Sequence, residues 1–245
     1  MITMISGPNG VGKSSLMNFF LNESAFDYQR IRAGQKKIEE MNKVFGWDIP
    51  IPDHLTYLNG ESKFRKDGYR PRMNLEFIPD RFGIQTEAPK DIQCQFILPY
   101  STIGCDEAPT WFGSRECPIE NYQFSAFEKH RHHDLDIYLT GTRQVALDRR
   151  IREISRGMHV RKRKVTYGKY GITKIEWFID LIDVGNIDAY INSSSVDKKH
   201  YYSREKITCL YDIFKIYDSQ SESHLYYDGF DLKNIKLNYG RSANV

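Results

Sequence analysis

The run ITMISGPNGVGKSS, from Ile2 to Ser15, decides how the rest of the chain is read. Ile2 to Ser6 predicts a short buried strand, and SSLMNFFL beyond the glycines predicts the start of an apolar helix. Between them the spacing Gly-x-x-x-x-Gly-Lys-Ser is that of a phosphate loop made of Gly7, Pro8, Asn9, Gly10, Val11, Gly12, Lys13, Ser14 and Ser15. The chemistry explains the residue types. Gly7, Gly10 and Gly12 let the backbone fold around phosphates with N–H groups turned inward, and the helix that follows adds partial positive charge at its start. In such a loop Lys13 reaches the β- and γ-phosphates and Ser14 holds Mg2+.

A second cluster lies about 90 residues downstream, where the apolar STIGC runs into Asp106 and Glu107 and Pro109 breaks the strand. Two acids at the end of a strand suit the two needs of hydrolysis. Asp106 would reach Mg2+ through water, and Glu107 would polarise the attacking water. The gap leaves room for an extra strand, HLTYL from His54 to Leu58, between the loop and the acids, an arrangement of P-loop ATPases that do mechanical work. Thr140 closes a further strand, DIYLT, where parallel sheets present ligand-binding residues, and is the candidate to sense the γ-phosphate or orient water. Arg143, Arg149, Arg150, Arg152 and Arg156 are candidates for an arginine finger, with Arg152 taken as the catalytic one. A GTP-reading Asn-Lys-x-Asp is missing, because Asn42 and Lys43 are followed by Val44 and Phe45, so ATP is the expected nucleotide. The Leu-Ser-Gly-Gly-Gln signature of ABC-type ATPases is absent too.

The 245 residues, 40% hydrophobic and 27% charged, suit one large α/β unit or a core with an appended subdomain, and no apolar run is long enough to span a membrane. Met1 to Ser6 has no basic region of a signal peptide, which predicts a cytoplasmic protein. Cys94, Cys105, Cys117 and Cys209 show no CxxC spacing, so buried free thiols are expected. The net charge is only +3, yet Arg143 to Lys164 holds nine Lys or Arg against Asp148 and Glu153. Alternation along RKRK would put Arg161 and Arg163 on one face of a strand and Lys162 and Lys164 on the other, where they could grip DNA phosphates or anionic headgroups.

The expected fold class is an α/β P-loop NTPase three-layer sandwich, with a mainly parallel central sheet and an antiparallel β addition at its C-terminal end. Residues 1–157 would form the core, with a loop-rich insertion at about 60–90. Residues 158–236 would form a β-rich subdomain packed on it, and 237–245 a frayed tail. Helices are predicted over Gln29 to Phe45, Ile119 to His133 and Val145 to Arg156, and MHVRKRKVTY and TKIEWFIDLID read as an antiparallel strand pair around Gly168 and Gly171. Trp111 and Phe112, after the breaker, read as exposed.

Beyond the phosphate loop, an ordered set of elements resembles the zonular occludens toxin family, which includes the gene I assembly proteins of filamentous phages. The elements are Asp106-Glu107-Ala108 with Phe112 and Arg115, then HRHHDLDIYLTGTR from His130 to Arg143, LDRRIR from Leu147 to Arg152, and FKIYDS from Phe214 to Ser219. The resemblance implies an ATPase that drives extrusion or assembly of a phage particle at the host inner membrane, working as a homo-oligomeric ring. It places Lys13 and Ser14 at the phosphate and metal positions, Asp106 and Glu107 at the acidic pair, and Thr140 at the strand-end polar position, with Gly141 standing where the family commonly has Gln. The family's membrane-spanning helix has no counterpart here. Either a membrane-anchored assembly partner supplies the attachment, placing the chain peripherally at the membrane, or the chain is a soluble DNA translocase or packaging ATPase. A third reading is a nucleotide-binding assembly module that switches partners without turnover.

Overall fold

The structure, a computed structural model, describes residues 1–46, 51, 55–58, 99–113, 124 and 127–215. Seven strands form one sheet: β1 (Ile2–Ser6), β2 (Thr56–Leu58), β3 (Thr102–Cys105), β4 (Asp136–Thr140), β5 (Arg156–Gly168), β6 (Gly171–Ile182) and β7 (Tyr202–Cys209), in the order β2-β3-β4-β1-β5-β6-β7. Pairing is parallel from β2 through β5 and antiparallel from β5 to β7. The strand placed between the loop strand and the acid-bearing strand is therefore β4, and β2, from the HLTYL run, lies at the sheet edge beyond β3. Sequence order misleads here because parallel strands are joined by crossovers that can skip places in the sheet.

Helices cover both faces. On one, α1 (Lys13–Ala25) packs Leu16, Met17 and Leu21 against Ile5, Val160, Ile179 and Trp177, all fully buried. On the other, Ile2, Met4, Ile137 and Leu139 meet α3 (Pro109–Phe112), α4 (Arg149–Ile154) and α5 (Ile187–Asn192) through Phe112, Ile151, Ile187 and Tyr190. Ile2 and Met4 enter one core while Ile5 enters the other, as the period of two in a strand buried on both faces requires. This is the α/β three-layer sandwich with a mainly parallel sheet and a terminal antiparallel addition.

The second helix, α2, spans Tyr28–Phe45, one residue from the expected start. Asp27 caps it by accepting from the Arg30 N–H at 3.1 Å, and Gly46 ends it with φ at 66°, a left-handed cap that glycine takes without strain. Asn42 and Lys43 stand in its last turn.

Other expectations shift. The helix expected to reach Arg156 ends at Ile154, and Arg156 already opens β5, paired beside Thr3 of the central strand. A boundary at 157 and 158 thus falls inside one continuous strand. Phe112 is buried, edge-on to Phe127 with ring centres 5.1 Å apart. Of the helix expected over Ile119 to His133, residues 124, 127 and 128 are α-helical, Lys129–His133 closes as a 3-10 turn, and the rest lies outside the described residues. The antiparallel pair β5–β6 forms as expected, but its register slips between Val160 and Lys162. That bulge breaks the alternation of RKRK: Arg161 turns to Asp180 at 2.8 Å, while Arg163 pairs beside Trp177 on the α1 face. The insertion at about 60–90, the tail, Arg115, Cys94 and Cys117 lie outside the described residues.

Candidate nucleotide site

The loop joins the C-terminal end of β1 to α1, and its three glycines carry positive φ: 145° at Gly7, 77° at Gly10 and 88° at Gly12. At Gly7 a Cβ would also come within 2.5 Å of the Val160 carbonyl oxygen. Glycine is thus demanded at the first position by both torsion and space. The helix begins at Lys13 with Gly12 as its N-cap, no side-chain cap and no acid in the first turn. Its first N–H groups are left to point at a ligand, the arrangement that binds phosphate.

Lys13 is buried, and its Nζ folds back to donate to the Gly7 and Pro8 carbonyls, each at 3.2 Å. Ser14 donates from Oγ to Asp106 Oδ1 at 2.9 Å, so the loop and the end of β3 meet across 92 residues of sequence. Thr140 completes the junction. Its hydroxyl donates to the same Asp106 oxygen and accepts the Glu107 N–H at 3.0 Å, while its carbonyl accepts from Ala108 N at 2.8 Å. Because Cys105 pairs beside Leu139, the residue that follows β3, Asp106, comes beside Thr140, the last residue of β4.

Glu107 has φ at 49°, a left-handed torsion uncommon for a residue with a side chain, and it stands exposed beside the buried Asp106. Partial burial, and then the charge of Asp106, raise its carboxyl above the ordinary glutamate range, while Lys13 pulls it down. A carboxyl raised in this way holds a proton more readily, a property useful in a base.

For a divalent cation the donors are the Ser14 hydroxyl and the Asp106 carboxylate, both oxygens, held in contact at the loop. That set fits Mg2+, which takes few protein oxygens and keeps the remaining positions for water and phosphate. Lys13, Ser14, Asp106, Glu107 and Thr140 are thus brought together, Pro8, Asn9 and Val11 lie in the same loop, and Ser15 stands in the first turn of α1.

Arg152 is not brought there. Its side chain is 11% exposed, bonded to Asp188 at 2.7 Å, and it donates to the carbonyls of Leu147 and Val145. Arg152, expected as an arginine finger, spends its guanidinium within the chain, where it clamps the 145–147 segment to α5. Arg149 pairs with Glu153 at 2.8 Å, and Arg150 binds Asp148 at 3.2 Å and lies over the Phe124 ring. Arg143 is exposed on the rim of a cavity of about 260 Å3 that also touches Ser6, Gln144, His159, Tyr190 and Lys198. In that cavity Ser6 Oγ lies 3.1 Å from His159 Nδ1, and burial lowers the His159 pKa. This pair could not be read from spacing, since it depends on the pairing of β1 with β5, which sets Ser6 beside His159.

No protein-family model matches the chain, and no curated protein does. Among solved structures, it is similar to the N-terminal domain of zonular occludens toxin from Neisseria meningitidis, at 17% identity and a TM-score of 0.45, over 89% of this chain and 98% of that one. It is also similar to the genome packaging NTPase B204 from Sulfolobus turreted icosahedral virus 2 in its complex with AMPPCP, at 13% identity and a TM-score of 0.36, over 69% of this chain and 77% of that one. The ATP-gammaS complex of that NTPase has a TM-score of 0.33, also at 13% identity, over 69% of this chain and 78% of that one.

Proposed function

We propose that this chain is a Mg2+-dependent ATPase whose turnover drives assembly, genome export or packaging of a virus or prophage particle, acting as a homo-oligomeric ring. The observation that carries the enzymatic part is the junction at Asp106, which takes hydrogen bonds from Ser14 of the loop and from Thr140 of β4. It joins a phosphate-shaped backbone to a pair of acids. In this reading the loop N–H groups and Lys13 bind the phosphates, and Ser14 and Asp106 hold Mg2+, which supplies charge neutralisation on the phosphates when bound. Glu107 orients the attacking water and accepts its proton. Thr140 fixes both acids, through the Asp106 oxygen and the Glu107 N–H.

The reading of the moved polymer as DNA is favoured by the outer face of the antiparallel strands. Lys162 and Lys164 are exposed there, next to Lys174 and Lys206, which pair with Glu176 at 2.9 and 3.2 Å, and Arg204, which lies 3.9 Å from Asp180. The pairs with Glu176 and Asp180 offset part of this charge, so Lys162 and Lys164 carry the surplus. The phage-assembly form of the proposal includes a membrane-anchored assembly partner; among the described residues no helix is long and apolar enough to cross a membrane.

The decisive experiment measures ATP turnover of the wild type and Glu107→Gln, with and without single- and double-stranded DNA, alongside sedimentation to count subunits. Glu107→Gln is expected to keep ATP binding and lose roughly a hundredfold or more of turnover, by removing the base. Unchanged turnover would sink the assignment of Glu107 as the base, and no turnover in the wild type under any of these conditions would leave a binding module that switches without hydrolysis.

A further inference from the structure

We propose that Arg163 is a phosphate-binding side chain of the nucleotide site, reaching the loop from the flank opposite the acidic pair. The proposal rests on the reading of the loop as a nucleotide site and deepens it. The bulge after Val160 sends Arg163 to the α1 face, beside Trp177, instead of to the outer face with Lys162 and Lys164. There its side chain occupies the space left by the missing Cβ of Gly12: an atom placed at that Cβ would be 2.9 Å from both Arg163 Cδ and Nη1, and 2.7 Å from Ser15 Oγ. The guanidinium therefore lies against the last glycine of the loop, at the uncapped start of α1.

Its surroundings call for an anion. Among the described residues Arg163 has no ion pair or hydrogen bond, and its recorded partner is the Phe214 ring, with the guanidinium carbon 5.2 Å from the ring centre. Arg163, the loop amides and Lys13 bring positive charge together at the loop, while Asp106 and Glu107 reach it from β3, on the other side of β1. Such a concentration is unfavourable in the free protein and becomes favourable when a polyphosphate enters. The ring of Phe214 holds the flat guanidinium in place and leaves its N–H edges for ligand oxygens. The location beside Gly12 and Ser15 selects the phosphates cradled by the backbone amides, which both ADP and ATP possess.

The test is a calorimetric titration of the full chain with Mg2+ and ADP, then with Mg2+ and a non-hydrolysable ATP analogue, for the wild type, Arg163→Ala and Arg163→Lys. Arg163→Met serves as a second variant that keeps the aliphatic stem against Gly12. Alanine and methionine are expected to weaken both ligands about tenfold, the size of one charge-assisted contact, and lysine by less. The kcat at saturating ATP should stay within about twofold while KM rises, because the lost contact is present in ground and transition states alike. Wild-type affinity for ADP in folded Arg163→Ala or Arg163→Met would overturn the proposal, as would unchanged affinity with a collapsed kcat, which marks a transition-state role instead. If the wild type itself binds neither ligand, the nucleotide reading fails first, a result distinct from the other two.

Discussion

At the residue scale the chemistry turns on Thr140, whose one hydroxyl serves two acids. Thr140→Val keeps the shape and removes the hydroxyl, leaving the Glu107 N–H without that acceptor and Asp106 without one of its donors. The expected cost is about 1–3 kcal/mol in urea unfolding, with turnover down by roughly ten- to a hundredfold and nucleotide binding retained. Glu107 supplies a pH dependence. Its raised carboxyl must lose its proton to act as base, so the acidic limb of the turnover profile is expected above the ordinary glutamate range, and absent as a Glu107 feature in Glu107→Gln. For stability the sign is the reverse of a paired carboxylate. A pKa higher in the folded than in the unfolded state gives the folded state more protons, so this group's contribution falls as pH rises through the unfolded and then the folded pKa. Glu107→Gln should therefore melt higher than wild type at neutral pH, with the difference vanishing at low pH where both states hold the proton. The identity of Thr140 as a strand-end polar residue was legible in DIYLT; its grip on both acids was not, because that needs the register that sets Asp106 beside it.

At the element scale, α4 shows what composition cannot tell about an arginine row. Along LDRRIR each guanidinium has an equal claim on solvent, a ligand or a neighbour, and only the packing of α4 on α5 assigns Arg152 to Asp188. Arg152→Ala is expected to destabilise the fold by about 1–3 kcal/mol in denaturant titration, since Asp188 and the Leu147 carbonyl lose a charged donor, while turnover per folded molecule stays near wild type. A collapse of turnover in the folded variant would restore it as a finger. The bulge in β5 teaches the same point from the other side. Period-two reading puts Arg161 and Arg163 together, and one extra residue in the strand sends the first to Asp180 and the second to the loop.

At the scale of the whole molecule, one sheet carries both the site and the appended strands. The loop strand β1 is flanked by β4 and β5, and β5 runs on past the core to found the antiparallel extension. Trp177 of β6 is fully buried against α1, close to Phe19 with ring centres 5.8 Å apart, so the extension and the loop helix share a core. Trp177→Ala is expected to cost about 3–5 kcal/mol by the cavity it opens. Trp177→Phe should cost distinctly less, because the indole N–H has no hydrogen-bond partner among the described residues and nothing polar is orphaned by its loss. Urea unfolding checks both; a single transition for each variant would show that extension and core unfold together.

The sequence by itself determined the loop, the acids and the class of fold, because glycine spacing, a lysine at a fixed place and apolar runs of strand length are local properties set by short-range sterics and hydropathy. The tertiary structure alone decided which strand lies between loop and acids, where each arginine goes, and that the sheet runs unbroken through residue 157. Those outcomes depend on crossovers, register and one bulge, which arise from contacts between residues far apart in the chain and leave no periodic trace along it.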